Sequence, residues 1–280
     1  MLVDGAERAE GVDVRVQAPA GTAEVIEVLA AALDAAGLRR AVIGLGDADL
    51  FRQLLAELGI EGVGSNVLTV NGVDELGGCE HTIGPDHIEI GSFMALAGVT
   101  GGEMRIQDTK PDDLRMIRLV FERLGLHSDV DGDDIVVPGG QKLIARQDVG
   151  EHTTKVQDGP WPAFPADLTS IAIALATQCE GQVLIHEWMF ENRMIFTDKL
   201  VSMGANITMC DPHRAIVYGP RRLRAHRLSS PDIRAGMAML IAALCAEGRS
   251  EIQNVREIDR GYERIDERLR ALGANIDRTG

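Results

Sequence analysis

The chain has 280 residues, 45% of them hydrophobic and 25% charged, enough apolar material for one large domain or two ordinary ones and too much for extended disorder. Its formal charge of −15 opposes broad attraction to nucleic-acid backbones or anionic lipid, so an anionic ligand has to be held by locally placed arginines and helix ends. The opening MLVDGAERAEG has no apolar core, and the longest apolar runs, 171–176 and 237–246, are too short to span a bilayer. The expectation is a cytoplasmic protein with no signal peptide, no membrane contact and no nucleic-acid partner.

In chain order, residues 23–36 predict a helix ending at Gly37, 41–45 a strand, and 49–58 a second helix ending at Gly59. Gly44 and Gly46, at the end of that strand, are spaced as in a dinucleotide loop, but Asp49 stands where the third glycine belongs, so a tight strand-to-helix turn is expected. The four cysteines, Cys79, Cys179, Cys210 and Cys245, have no paired spacing and no histidine at ligand distance in the sequence. They predict buried reduced thiols, with no metal and no cofactor.

From residue 86 the chain repeats itself. Three segments open with an aspartate (Asp86, Asp167, Asp232) near a proline (Pro85, Pro165, Pro231) and run to a glycine (Gly102, Gly181, Gly248). Each then gives a short strand-like stretch, MRIQ, VLIH or SEIQ, and continues to a second glycine (Gly125, Gly204, Gly273) with another, LHSDV, ANITM or ANIDR. That period is too long for a solenoid and fits a whole α/β unit used three times. The first helix of each unit, as in 168–179 and 233–246, is apolar on nearly every side and requires burial all round. The second is amphipathic: Leu114, Ile117, Phe121 and Leu124 share one face, and Tyr262, Ile265, Leu269 and Leu272 another. The opening aspartates are suited to cap the buried helices.

Two clusters admit a binding reading and a plainer one. Asp129, Asp131, Asp133 and Asp134 resemble a calcium loop, but the glycine and glutamate positions of such a loop are not filled, and a hairpin turn at Asp131-Gly132 is expected. Arg221, Arg222, Arg224, His226 and Arg227 could meet a diphosphate; a solvated strand edge is the default.

Several strings carry a family resemblance: PDHIEIGSF at 85–93, PAFPAD at 162–167, FENR at 190–193, PDIRAG at 231–236 and DRGYERIDERLRALGANI at 259–276. In this order they make residues 66–280 resemble the carboxy-terminal half of the UDP-N-acetylglucosamine 1-carboxyvinyltransferases, of the enolpyruvyl transferase family. The resemblance implies an inside-out α/β barrel of three repeats over 86–280, with remnant strands of a preceding domain at 66–85. Residues 11–61 resemble a fragment of the histidyl-tRNA synthetase-like regulatory subunit of ATP phosphoribosyltransferase, so residues 1–65 read as a small α/β appendage joined near residue 65.

The family moves the enolpyruvyl group of phosphoenolpyruvate onto the 3-hydroxyl of UDP-N-acetylglucosamine, a step of peptidoglycan precursor synthesis. Carried over by resemblance, Asp167 contacts the nucleotide-sugar near its reacting hydroxyl and is the general base, with helix capping as its competing role, and Arg234 and Arg260 hold phosphoenolpyruvate. Met189 and Phe190 meet the nucleotide-sugar, with a buried core pair as the other reading, and Asp86 marks the crossover between domains. Arg193 is expected to support its strand. No stretch matches the family's first-domain lysine, asparagine or mobile loop, which implies weak or no turnover by this chain. Self-association through unpaired strand edges around 66–82 is expected, and a non-catalytic UDP-sugar-binding or regulatory fusion protein is the alternative.

Overall fold

The computed structural model describes residues 60–61, 69–70 and 83–279. The chain divides into two compact units, Met1–Asp86 and His87–Gly280. In the first, β1 (Ile60–Glu61) and β2 (Thr69–Val70) pair antiparallel, Ile60 opposite Val70 and Glu61 opposite Thr69. One ladder therefore takes a strand from each side of residue 65, and among the described residues each of its two strands is paired on one edge only. The helices expected at 23–36 and 49–58, the strand at 41–45, the Gly44 and Gly46 turn and Cys79 lie outside the described residues.

The second unit opens with α1 (His87–Thr100), followed by β3 (Met104–Ile106) and a 3-10 turn, Pro111–Leu114, that runs into α2 (Arg115–Arg123). A hairpin of β4 (Asp129–Asp131) and β5 (Asp134–Val137) completes an antiparallel sheet in the order β3-β5-β4. The next repeat holds β6 (Thr154–Gln157), a 3-10 turn at Ala166–Leu168 leading into α3 (Thr169–Ala176), and β7 (Gly181–His186). It continues through α4 (Thr197–Ser202), β8 (Asn206–Asp211) and β9 (Arg214–Gly219), giving the sheet order β6-β7-β9-β8. The last repeat has β10 (Arg227–Ser229), α5 (Ile233–Cys245), β11 (Glu251–Gln253), α6 (Arg256–Asp259) and α7 (Ile265–Ala271). In the second and third repeats the buried helix connects two parallel strands, β6 to β7 and β10 to β11.

The three long apolar helices α1, α3 and α5 pack on one another. Every residue of α3 is buried, as are Met94, Ala95 and Met237 through Ala242 on the other two. Glycines let the elements close up: a methyl at Gly91 of α1 would stand 2.7 Å from Leu168 Cδ1. The amphipathic second helices cover this centre, with Leu114, Ile117, Phe121 and Leu124 fully buried. In the third repeat Tyr262, Ile265 and Leu269 are buried, but Leu272 is exposed because it follows the last residue of α7, where the apolar stripe has ended.

Two further expectations are corrected, and the hairpin expected at Asp131-Gly132 is found. The stretch 274–278 forms no strand; Arg270 Nε donates to the Ile276 carbonyl, and Arg278 binds Asp259 and Asp266, so side chains hold this tail. Cys210 is exposed because it lies on β8, the edge strand of its sheet, whereas Cys179 is buried and donates to the Leu124 carbonyl at 3.1 Å. Burial pushes the Cys179 thiol up to about 12, which leaves it unreactive. The acidic run at 129–134 is the β4–β5 hairpin, turning through Gly132 at φ +64, with Asp131 and Asp134 both bound to Arg105. In the basic cluster Arg222 pairs with Glu247 and Arg227 with Glu251, across the third repeat.

Candidate functional site

Asp167 and Asp232 both stand at the start of a buried helix, but only one of them caps it. Asp232 immediately precedes α5 in an extended conformation, and its Oδ1 accepts from the Arg234 and Ala235 amides at 2.9 and 2.8 Å. Asp167 lies inside the 3-10 turn before α3, one residue further from its proline, and makes no cap. The capping role expected for it is therefore corrected: from within the turn its side chain leaves the helix axis instead of folding back on the first amides.

The carboxylate of Asp167 is held by two guanidinium groups from different segments. Arg193 Nη1 donates to Oδ1 at 2.8 Å, and Arg234 Nε donates to Oδ2 at 3.1 Å. Burial pushes the Asp167 pKa up, but the Arg234 charge and the Arg193 hydrogen bond outweigh it, and the net shift is below the usual carboxylate range. At neutral pH the group is an anion between two cations. All three side chains keep an outlet to solvent, with 37% of Asp167, 36% of Arg193 and 19% of Arg234 exposed.

Each arginine is set by the local chain. Arg193 follows Asn192, which holds a left-handed conformation (φ +63) that asparagine tolerates better than most residues, and its guanidinium lies 4.3 Å from the Phe190 ring centroid. Arg234 is in the first turn of α5 and lies over the buried Tyr262 ring at 5.5 Å. The Tyr262 hydroxyl meets Ser92 Oγ of α1 at 2.7 Å. The floor beneath Arg234 thus joins the first and third repeats, and Asp167 adds the second. A methyl at Gly261 would stand 2.5 Å from Ile233 Cγ2 and 3.5 Å from Arg234 Nη1, so glycine is required for the chain carrying Arg260 to run this close to α5.

Arg260 itself pairs with Glu257 at 2.8 Å and is 60% exposed; it forms no direct bond with Asp167. Met189 and Phe190 are exposed at 40% and 43%, with Trp188 at 55%, so the buried-pair reading of Met189 and Phe190 does not hold. Asp86 is exposed at the boundary of the two units. Sequence reasoning passed over Arg193 as a support and did not assign Tyr262 to the site. The FENR string held the signal for the first, since it places the arginine one turn after the exposed phenylalanine. An anionic centre flanked by two guanidinium groups and an exposed aromatic ring can accept a proton and hold an anionic ligand at the same rim.

Comparison with known proteins gives a consistent set of likenesses. The EPSP synthase (3-phosphoshikimate 1-carboxyvinyltransferase) family model matches residues 5–269. A UDP-N-acetylglucosamine 1-carboxyvinyltransferase of Bradyrhizobium diazoefficiens is 53% identical over 98% of this chain and 64% of the relative. One from Treponema denticola is 55% identical over 78% of this chain and 51% of its own length. The chain thus spans between half and two-thirds of the length of these relatives. Among solved structures, the enolpyruvyl transferase NikO from Streptomyces tendae superposes with a TM-score of 0.71 at 25% identity, covering 82% of this chain and 54% of that one. EPSP synthase from Acinetobacter baumannii gives 0.63 at 17% identity, over 84% and 56%, and shares the fold. Both the family match and the Bradyrhizobium alignment run through residues 11–61, and the synthetase-like reading of that stretch finds no support. Among the described residues no helix is long and apolar enough to cross a membrane.

Proposed function

Because this chain belongs to the EPSP synthase (3-phosphoshikimate 1-carboxyvinyltransferase) family, we propose that it serves enolpyruvyl transfer from phosphoenolpyruvate to the 3-hydroxyl of UDP-N-acetylglucosamine, in peptidoglycan precursor synthesis. The observation that carries the chemistry is the Asp167 carboxylate between the Arg193 and Arg234 guanidinium groups. The choice of acceptor rests on identity: 53% and 55% to proteins named for UDP-N-acetylglucosamine, against 17% to an EPSP synthase.

In this reading the acceptor hydroxyl enters beside Asp167, which takes its proton as the oxygen adds to C2 of phosphoenolpyruvate. The methylene carbon gains a proton in the same addition and loses one when phosphate leaves, so the enol ether is restored with no net redox change. Arg234, and Arg260 on the adjoining segment, hold the carboxylate and phosphate of phosphoenolpyruvate. Met189 and Phe190 present a partly apolar surface to the nucleotide-sugar. Arg193 orients the base and leaves it ionised. The three repeats, with their buried helices inside and strands outside, form the second inside-out barrel of the family, and Asp86 sits at its crossover.

Calorimetric titration with UDP-N-acetylglucosamine, paired with phosphate release from phosphoenolpyruvate, tests both halves of the proposal. Whatever the absolute rate, Asp167→Asn should keep nucleotide-sugar binding and lose roughly 100-fold or more of the phosphate release. Turnover unchanged in that variant overturns the base assignment, and binding of shikimate 3-phosphate in place of the nucleotide-sugar overturns the acceptor.

A further inference from the structure

The turn that carries Trp188, Met189 and Phe190 is held from beneath by two carboxyl groups that the transfer chemistry does not use. β6 and β7 run parallel with Gln157 beside His186, so the next residues on each strand, Asp158 and Glu187, leave the sheet side by side at its carboxyl-terminal end. Both are buried, with 2% of Asp158 and none of Glu187 exposed. The backbone beyond them converges on their oxygens. The Trp188 amide donates to Asp158 Oδ1, the Met189 amide to Asp158 Oδ2 at 3.2 Å, and the Phe190 amide to Glu187 Oε1 at 3.3 Å.

We propose that Asp158 and Glu187 share a single proton and act as positioning residues, fixing the 188–190 turn through three consecutive amides so that Met189 and Phe190 face the nucleotide-sugar. This rests on the reading of that turn as a sugar contact. Two buried carboxylates side by side repel strongly, and one proton removes the repulsion while supplying a donor between them. Two amides already stabilise a charge on Asp158 and only one reaches Glu187, the more deeply buried of the two, which makes Glu187 the holder of the proton. Burial first, and then the Asp158 carboxyl, push the Glu187 pKa up to about 8. Loss of the proton restores the repulsion and loosens the turn.

The other groups around the pair are known. Arg193 approaches Glu187 from the far end of the turn, and Thr169 from the start of α3. The His213 ring Nδ1 lies 2.8 Å from the Glu187 carbonyl oxygen. His186 sits among Lys155, Arg214, Asp158 and Asp211, and burial with the neighbouring Lys155 charge holds its pKa below the usual histidine value. Titration of His186 therefore falls on the acid side of the window that concerns Glu187.

The chain has two tryptophans, so a Trp161→Phe background leaves Trp188 as the sole reporter on the turn. In that background Trp188 emission should change as pH rises through the neutral to alkaline range, and Glu187→Gln, which keeps shape and a neutral donor, should abolish the change. In the same range, from about pH 6 to about pH 9, the dissociation constant for UDP-N-acetylglucosamine should rise roughly tenfold in the parent and stay nearly flat in Glu187→Gln. Asp158→Asn, which cannot accept from both amides, should weaken binding at every pH. An emission change that persists in Glu187→Gln, or one that survives there but vanishes in His213→Gln, overturns the proposal. If the nucleotide-sugar binds at no pH while the Trp188 transition follows Glu187, the acceptor reading fails and the carboxyl pair stands.

Discussion

The start of α3 and the start of α5 are the same structural device put to different uses. Both follow a proline and both carry an aspartate, yet Asp232 closes onto the amides of its own helix while Asp167 reaches two arginines from other segments. The difference is one residue of spacing. Pro231-Asp232 places the carboxylate at the N-cap, whereas Pro165-Ala166-Asp167 places it within a 3-10 turn whose first amides are satisfied by backbone, as in Leu168 N to Pro165 O at 3.0 Å. A capping aspartate is a stability element, and a displaced one is free to become a chemical one.

The largest expected effect that sharpens this contrast comes from the packing behind Arg234. Gly261→Ala sets a methyl 2.5 Å from Ile233 Cγ2, at the beginning of α5. Overpacking of this kind costs about 1–3 kcal/mol, and the shift it forces moves Arg234 away from Asp167. Urea unfolding should show the loss, and calorimetry should show weaker phosphoenolpyruvate binding; unaltered stability would mean that the two segments are not held this closely. Next in size, Asp232→Ala should cost about 1 kcal/mol of unfolding free energy through the lost cap, with ligand affinity intact. Affinity falling as far as in Gly261→Ala would erase the distinction between the two aspartates.

Much of the fold was legible because burial leaves a strong pattern. Helices apolar on every side, at 168–179 and 233–246, can only lie inside, and the stripe Leu114, Ile117, Phe121, Leu124 can only cover them. The site was legible only in part. Asp167 and Arg234 are joined directly, but Arg260 turns to Glu257, and the carboxyl pair of Asp158 and Glu187 gave no signal because strand register is invisible until the strands are paired. The cap was misassigned to Asp167 for a similar reason. Propensity favours aspartate near a helix start, and only the geometry of the 3-10 turn separates the N-cap from the position after it.

The smallest effect is a difference in the direction of pH dependence within the second repeat. Asp167 has a pKa below its ordinary value because Arg234 and Arg193 overcome its burial, so its ion pairs stabilise the fold above the ordinary carboxylate pKa and are lost as pH falls through the depressed value. Glu187 is shifted up, so its contribution is present below the ordinary glutamate pKa and is lost as pH rises through about 8. Asp167→Asn should therefore differ from the parent in unfolding free energy at neutral pH and converge with it in acid, while Glu187→Gln should gain on the parent only in alkali. With Asp167 more than one-third exposed, solvent screens its pairs and the acid effect stays small. Urea midpoints measured across the pH range read both limbs, and a gap between Asp167→Asn and the parent that persists undiminished in strong acid would show that the Asp167 contacts act through packing and not through charge.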